Sequence, residues 1–373
     1  MRAWTHLLPV VLCVALAGQA SKASAQPDDP KLPSIRIVFF TPKGVVPPPR
    51  VEERLTQLAR YTEDFFVKWM THWGYEPARK EMFQWKSDGN VEVLFAKGDQ
   101  PPEHYTDGSF RPKMIQQLAR EHKIPRNNNI NWVFVYKGDP PERYDNFKGS
   151  GNSKSGGWAM ANYLSTPGEI SMDKEIAAGF HDDFSLKGVI HEFGHGLGLP
   201  HLGPRLKHNF GNTLMGPVTR IWRRELGKDD PRGYLSEGSA AMLWKHPIFS
   251  GTSKDRGRMP QVTLDSYRPR FDVRSREIEI RGKVTSDVNV HSVVIVDDMQ
   301  KKPGEYWVRP YVGRVDENGN FQVTIDEPID SNGTYKIIFC FENGIVTGDG
   351  KKHGLQSAIE KNYRYARGVY RFE

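Results

Sequence analysis

Eleven consecutive residues, His191-Glu192-Phe193-Gly194-His195-Gly196-Leu197-Gly198-Leu199-Pro200-His201, constrain this chain more than any other part of it. On an α-helix each residue turns the side-chain direction by about 100°, so His191 and His195 share one face and can grip one ion. Glu192 falls within roughly 60° of His195 on the same wheel, facing the ion's surroundings without having to bind it. Gly198 suits a left-handed residue that ends the helix and swings the chain back, delivering His201 as a third ligand. Three protein nitrogens leave a fourth position open, which is the arrangement of catalytic zinc; structural zinc is usually closed by four ligands and rich in cysteine. The expectation is one Zn2+ per chain on His191, His195 and His201, with Glu192 as general base toward the water on the metal.

The spacing His-Glu-x-x-His-x-x-Gly-x-x-His with a methionine downstream resembles the metzincin clan of zinc metallopeptidases. The methionine is Met215, within Asn212-Thr213-Leu214-Met215-Gly216. The resemblance implies that it lies beneath the three histidines as an apolar base, whereas taken alone a methionine most often fills core space. Leu202 follows the third histidine, where the astacin-like, serralysin-like, matrixin-like and adamalysin-like families carry other residues. Thr219 stands four positions after Met215, where the astacin-like and serralysin-like families place a tyrosine ligand. The resemblance therefore reaches the clan and no family within it. It also implies that the strand ahead of the zinc helix lines the cleft and pairs with an extended substrate. The residues at that position are Gly157, Trp158, Ala159, Met160 and Ala161; read by themselves they form an ordinary edge strand behind a glycine-rich hairpin, Gly149 to Gly157.

The rest of the chain reads as α+β followed by all-β. Residues 1–25 have the plan of a secretory signal: Arg2, an apolar run from Leu7 to Ala17, and Ala23-Ser24-Ala25 before Gln26. A short N-terminal segment, 26–34, leads into a metzincin-like peptidase domain over 35–250. Within it, strands are expected at 35–40, 91–96, 131–136, 157–163 and 169–172. A backing helix is expected over 51–73, a short helix over 114–122, and the active-site helix over about 186–197. This gives a five-stranded mixed sheet with a backing helix and an active-site helix. Asp183 or Ser185 is placed to cap the last of these, and the Asp182-Asp183 pair has a calcium site as its other reading. His181 and His208 are expected to be surface residues, because the zinc site is complete without them.

Residues 251–260 form a polar linker, and 261–373 read as a β-sandwich of immunoglobulin or fibronectin type with its own core. Its strands are expected at 277–284, 290–296, 306–315, 321–325, 335–341 and 366–372. Such a unit would be separable from the catalytic part, docking a substrate or a surface.

Charge and cysteine usage narrow the function classes. Loss of the leader removes Arg2 and Lys22 from 52 basic residues and leaves 45 acidic ones, so the net charge falls from +7 to about +5. That is too mild and too dispersed for nucleic-acid binding; the Arg220-Ile221-Trp222-Arg223-Arg224 cluster reads as a solvated face or a rim for acidic peptides. The apolar run of the leader is too short to span a membrane. Of the two cysteines, Cys13 lies in the leader and Cys340 in an apolar strand, so no intrachain disulfide is expected. This suits bacterial-type export to the periplasm or the extracellular space. The sequence thus points to a secreted zinc endopeptidase acting on protein or peptide substrates. The alternative is an extracellular binding or adhesion protein that keeps the fold with little or no catalysis.

Overall fold

The first strand, β1 (Ser34–Thr41), is apolar on both sides, and this decides the layering. Ile35, Ile37 and Phe39 enter one core while Val38 and Phe40 enter another, as a strand inside a largely parallel sheet requires. The computed structural model describes residues 32–105, 110–123, 129–138, 148–163, 175–177, 186–218, 221–222, 230–299, 306–348 and 357–373. The expected signal segment, the strand at 169–172, His181, the Asp182-Asp183 pair and the capping position Ser185 lie outside the described residues.

After β1 come α1 (Val51–His72), β2 (Val93–Lys97), α2 (Phe110–Glu121), β3 (Asn129–Val135), β4 (Lys148–Asn152) and β5 (Gly156–Asn162). The strands form a mixed sheet in the order β2-β1-β3-β5-β4, parallel throughout except between β4 and β5. Met114 and Leu118 of α2 cover the Val38 face. The opposite face is covered by α1, through Leu55, Leu58, Phe66 and Met70, and by the active-site helix α3 (Leu186–Gly196). Phe193 seats α3 on β3: its ring stacks on Trp132 with centroids 4.7 Å apart. Four of these strands overlap expected segments and β4 is an additional one, while the segment 169–172 lies outside the described residues. The glycine-rich run is a hairpin, as expected: its first half is β4, which turns and pairs antiparallel with β5.

Two short helices, α4 (Glu237–Leu243) and α5 (Pro247–Ser250), close this part of the chain. Beyond them come β8 (Val262–Asp272), β9 (Glu277–Ser286), β10 (Val290–Met299), β11 (Arg309–Arg314), β12 (Asn320–Ile325), β13 (Gly333–Phe341), β14 (Ile359–Ala366) and β15 (Val369–Phe372). They follow the two-residue pair β6 (Asn212–Thr213) and β7 (Gly233–Tyr234). Two antiparallel sheets result, β11-β10-β13-β14-β15 and β12-β9-β8, sharing a core that includes Ile278, Ile280, Val323, Val293, Ile295 and Phe339. Three expectations change here. β8 is an additional strand that starts directly after the polar linker. The strand expected at 306–315 begins only at Arg309, leaving Tyr306 to Val308 as a strap. The strand expected at 366–372 is a hairpin, turning at Arg367-Gly368 with φ of 54° and 79°, as a tight two-residue loop needs.

The larger of these sheets is buried on both faces. Val294, Val296, Ile338, Cys340 and Val346 point away from the sandwich core and join the core of the N-terminal part. No helix among the described residues is long and apolar enough to cross a membrane.

Candidate metal centre

Helix α3 carries Leu186, Val189, Ile190 and Phe193 on its core side, which leaves His191, Glu192 and His195 on its other side. The helix ends in a double-capped turn. Gly198, at φ +93°, donates its N–H to His195 O (3.0 Å), and Leu199 N–H reaches back to Gly194 O (3.0 Å). This turn has a second effect, because it aims the carbonyl of Leu199 at Nδ1 of His195, 2.8 Å away. His191 is held in the same manner, its Nδ1 lying 2.8 Å from Leu214 O.

A carbonyl only accepts, so each of those Nδ1 atoms carries the ring proton and each Nε2 presents a lone pair. The three imidazoles converge, with ring centroids 4.6 to 5.3 Å apart and one ligand atom from each within 4.8 Å of the others. Nε2 of His195 and Nε2 of His201 approach to 3.1 Å. A tetrahedral ion bound at about 2.05 Å holds its nitrogens about 3.3 Å apart, so these two atoms stand close to the separation of two ligands of one ion. Burial also lowers the pKa of His191 and of His195, keeping both neutral and able to ligate. The donor set and its geometry therefore fit zinc.

Met215 is buried under this helix. A Cβ on Gly194 would stand 2.5 Å from its sulfur, so the methionine packs directly on the α3 backbone between the first two histidines. The turn around it is tied down by Thr213 Oγ1 donating to Leu202 O (2.6 Å) and Asn212 Nδ2 donating to Pro217 O (2.7 Å). Lys187, one helical turn before His191, is fully buried and donates to Pro217 O (2.9 Å). Burial pushes its pKa down to about 7, opposed by the charge of Glu192. Its position one turn before His191, beside the histidine face of α3, was the available signal in the sequence.

The edge of the cleft differs from expectation. Gly157, Trp158, Ala159, Met160 and Ala161 belong to β5, whose backbone pairs with β3 on one side and β4 on the other. Ala159 and Ala161 are completely buried. The outer strand is β4, and it is glycine-rich because it lies on the zinc helix. A Cβ on Gly149 would stand 2.1 Å from Glu192 O, and one on Gly151 would stand 2.2 Å from Gly196 O. His208 is also corrected: it is half-buried among Trp73, Phe210 and Tyr234, and burial lowers its pKa to about 4. Of the basic cluster at 220–224, only Ile221 and Trp222 are described, and Trp222 is buried.

The third ligand depends on the C-terminal sheets. His201 O accepts from Val308 N (3.1 Å), Gly203 N donates to Val308 O (2.7 Å), and Leu202 bridges Val308 in parallel. The ring of Tyr306 meets that of His201 edge-on, centroids 4.7 Å apart. Arg205 and Lys207 both pair with Asp326, fixing the same junction. Neither Tyr306 nor Val308 is recognisable from the zinc motif, which lies about a hundred residues earlier.

No family model matches this chain, and no curated protein matches it in sequence. Among solved structures it is similar to OgpA from Akkermansia muciniphila, crystallised as a catalytic inactive form in complex with an O-glycopeptide (glycodrosocin) substrate. That likeness has a TM-score of 0.66 at 19% identity, covering 91% of this chain and 95% of that one. Two crystal forms of wild-type OgpA give TM-scores of 0.65 and 0.64 at 20% and 19% identity, covering 91% and 89% of this chain and 95% and 94% of theirs. The fold, C-terminal sheets included, is shared.

Proposed function

We propose that the protein is an exported zinc endopeptidase that cleaves peptides bearing O-linked sugar. The observation that carries the first half is the pair of oriented imidazoles: Nδ1 of His191 and His195 are both committed to backbone carbonyls, leaving their Nε2 atoms and His201 converging on one point. Zinc in such a setting supplies a Lewis acid that makes water a nucleophile near neutral pH and polarises the scissile carbonyl. Glu192, next to the first ligand, takes the proton of the attacking water and passes it to the departing amine. Lys187 and Asn212 hold the Pro217 carbonyl and with it the chain around Met215, so the floor of the site cannot shift. The outer edge of β4 offers backbone donors and acceptors to an extended peptide, which suits cleavage within a chain. The substrate half rests on OgpA, whose fold this chain shares over 91% of its length and which was crystallised with an O-glycopeptide.

The test has two parts. Purified protein should carry about one zinc per chain and His201→Ala should lose most of it, while Glu192→Ala should keep zinc and lose on the order of a hundredfold or more in hydrolysis. Matched peptides with and without one O-linked sugar, their products mapped by mass spectrometry, then decide the substrate. Absence of zinc in the wild type refutes the peptidase reading; equal cleavage of both peptides refutes only the sugar requirement.

A further inference from the structure

Tyr306 is a half-buried aromatic in the strap before β11, and its surroundings are those of a site residue. Its ring lies edge-on to His201 at 80°, and its hydroxyl accepts the N–H of Val218 at 2.9 Å, just past the methionine turn. The residue thus spans from the third zinc ligand to the loop that follows Met215. The strap cannot drift: Val308 exchanges backbone hydrogen bonds with His201 and Gly203, and Trp307 fills the space where a side chain at 203 would begin. Behind it, Lys207 N donates to Glu327 (2.6 Å), and the Arg205 and Lys207 side chains pair with Asp326.

Packing on His201 would be served as well by phenylalanine, so the hydroxyl needs a separate account. A phenol accepts and donates; here the oxygen accepts from Val218, and no described residue takes the proton. A phenol is protonated at neutral pH, so this oxygen can accept from Val218 and still donate. An O–H donor fixed between the third histidine of the cluster and the loop after Met215 is the kind of group a developing oxyanion needs.

We propose that Tyr306, supplied by the C-terminal sheets, is a second catalytic residue: its phenol donates a hydrogen bond to the scissile carbonyl oxygen as that oxygen becomes anionic. The proposal rests on the peptidase reading above. No proton changes hands; the O–H bond stays intact and the donor is positioned before the reaction begins. The C-terminal sheets are then part of the catalytic machinery.

The test is Tyr306→Phe in the full chain, which keeps the ring against His201 and removes only the hydroxyl. Zinc content and thermal unfolding should match the wild type, kcat should fall about 10²- to 10³-fold, and KM should change less than about threefold. Binding supplies the readout independent of turnover. By calorimetry, a phosphinic peptide that mimics the tetrahedral state should lose affinity by a similar factor in Tyr306→Phe. An uncleaved peptide bound to Glu192→Ala should bind equally well when Tyr306→Phe is added. Wild-type kcat in Tyr306→Phe overturns the proposal, as does equal weakening of both ligands or loss of zinc, each of which assigns the tyrosine to packing. These results leave the peptidase reading standing, which fails only if the wild type itself lacks zinc or hydrolysis.

Discussion

A chain that ends at Gly251 should not fold into a working enzyme. The sequence suggested otherwise, since all zinc ligands, Glu192 and Met215 precede residue 216. The structure runs one core through the junction. Val294, Val296, Ile338 and Val346, each no more than 5% exposed, belong to the C-terminal sheets yet sit in the core of the N-terminal part. Burial of such side chains contributes about 1.5–3 kcal/mol apiece, so these four account for about 6–12 kcal/mol. A packed junction buries comparable surface on both sides, and the truncated chain would expose its own half. A whole domain is stable by about 5–15 kcal/mol, so the loss is of the same size as everything available. The cut also removes the Tyr75 hydroxyl's contact with Ser292 Oγ (3.2 Å), the Arg314 guanidinium stacked 3.5 Å over the Tyr75 ring, and the Val308 hydrogen bond to His201. The assay is thermal unfolding by circular dichroism together with zinc content and turnover of a short peptide. The truncated chain should show no cooperative transition, little zinc and no turnover. A cooperative transition within about 5 °C of the full chain would refute the shared-core argument.

Other predictions probe single features. Gly151→Ala should cost about 1–3 kcal/mol and weaken zinc binding, because its Cβ meets the Gly196 carbonyl at 2.2 Å and must push β4 or the end of α3 aside; unchanged urea unfolding would contradict this. Lys187→Met removes a buried cation one turn from His191 while Asn212 still satisfies the Pro217 carbonyl, so zinc should bind roughly tenfold tighter in competition with a chelator; weaker binding would mean the ammonium's hold on the loop matters more than its charge. Asp297 is buried and accepts from Tyr363 Oη (2.7 Å), and burial raises its pKa to about 6. The folded state therefore binds this proton more tightly than the unfolded one, so the contribution of Asp297 to stability is fully present below about pH 4 and is lost as pH rises through about 6. Asp297→Asn should remove that fall and stabilise the protein at pH 7 by up to about 3 kcal/mol, read from urea unfolding at pH 4 and pH 7. An unaltered pH slope in the variant would assign it to other groups.

Legibility in the sequence followed how local each feature is. The zinc helix could be read because its ligands, base and terminating glycine all fall within one and a half turns and a cap, where helical geometry fixes side-chain directions. The backing helix α1 was readable for the same reason, through Leu55, Leu58, Phe65, Phe66 and Trp69. The β4–β5 hairpin was readable, but the reason for its glycines was not, because glycine signals a turn when the alternative is open solvent. At 149 and 151 it signals close approach to another backbone, and that requirement belongs to the neighbour. The outer strand of the sheet is consequently β4 rather than residues 157–161.

The reach of the C-terminal sheets was present in the sequence but looked ordinary. In a sandwich with one face in water, strands alternate apolar and polar. Here Val293-Val294-Ile295-Val296 and Ile337-Ile338-Phe339-Cys340-Phe341 do not alternate, and both runs fall on strands buried on two faces. Unbroken apolar runs therefore marked a sheet with a second neighbour, which among the described residues is the N-terminal part. Once that sheet is packed against the N-terminal core, the strap before β11 is carried to the third ligand, the one histidine that α3 itself does not position. Helix α3 and its cap place two imidazoles and their tautomers. His201 lies beyond the turn, and its backbone carbonyl is held by Val308. A zinc motif contiguous in sequence thus becomes a complete site only when residues about a hundred positions later close on it, and that explains why the motif alone suggested a separable domain.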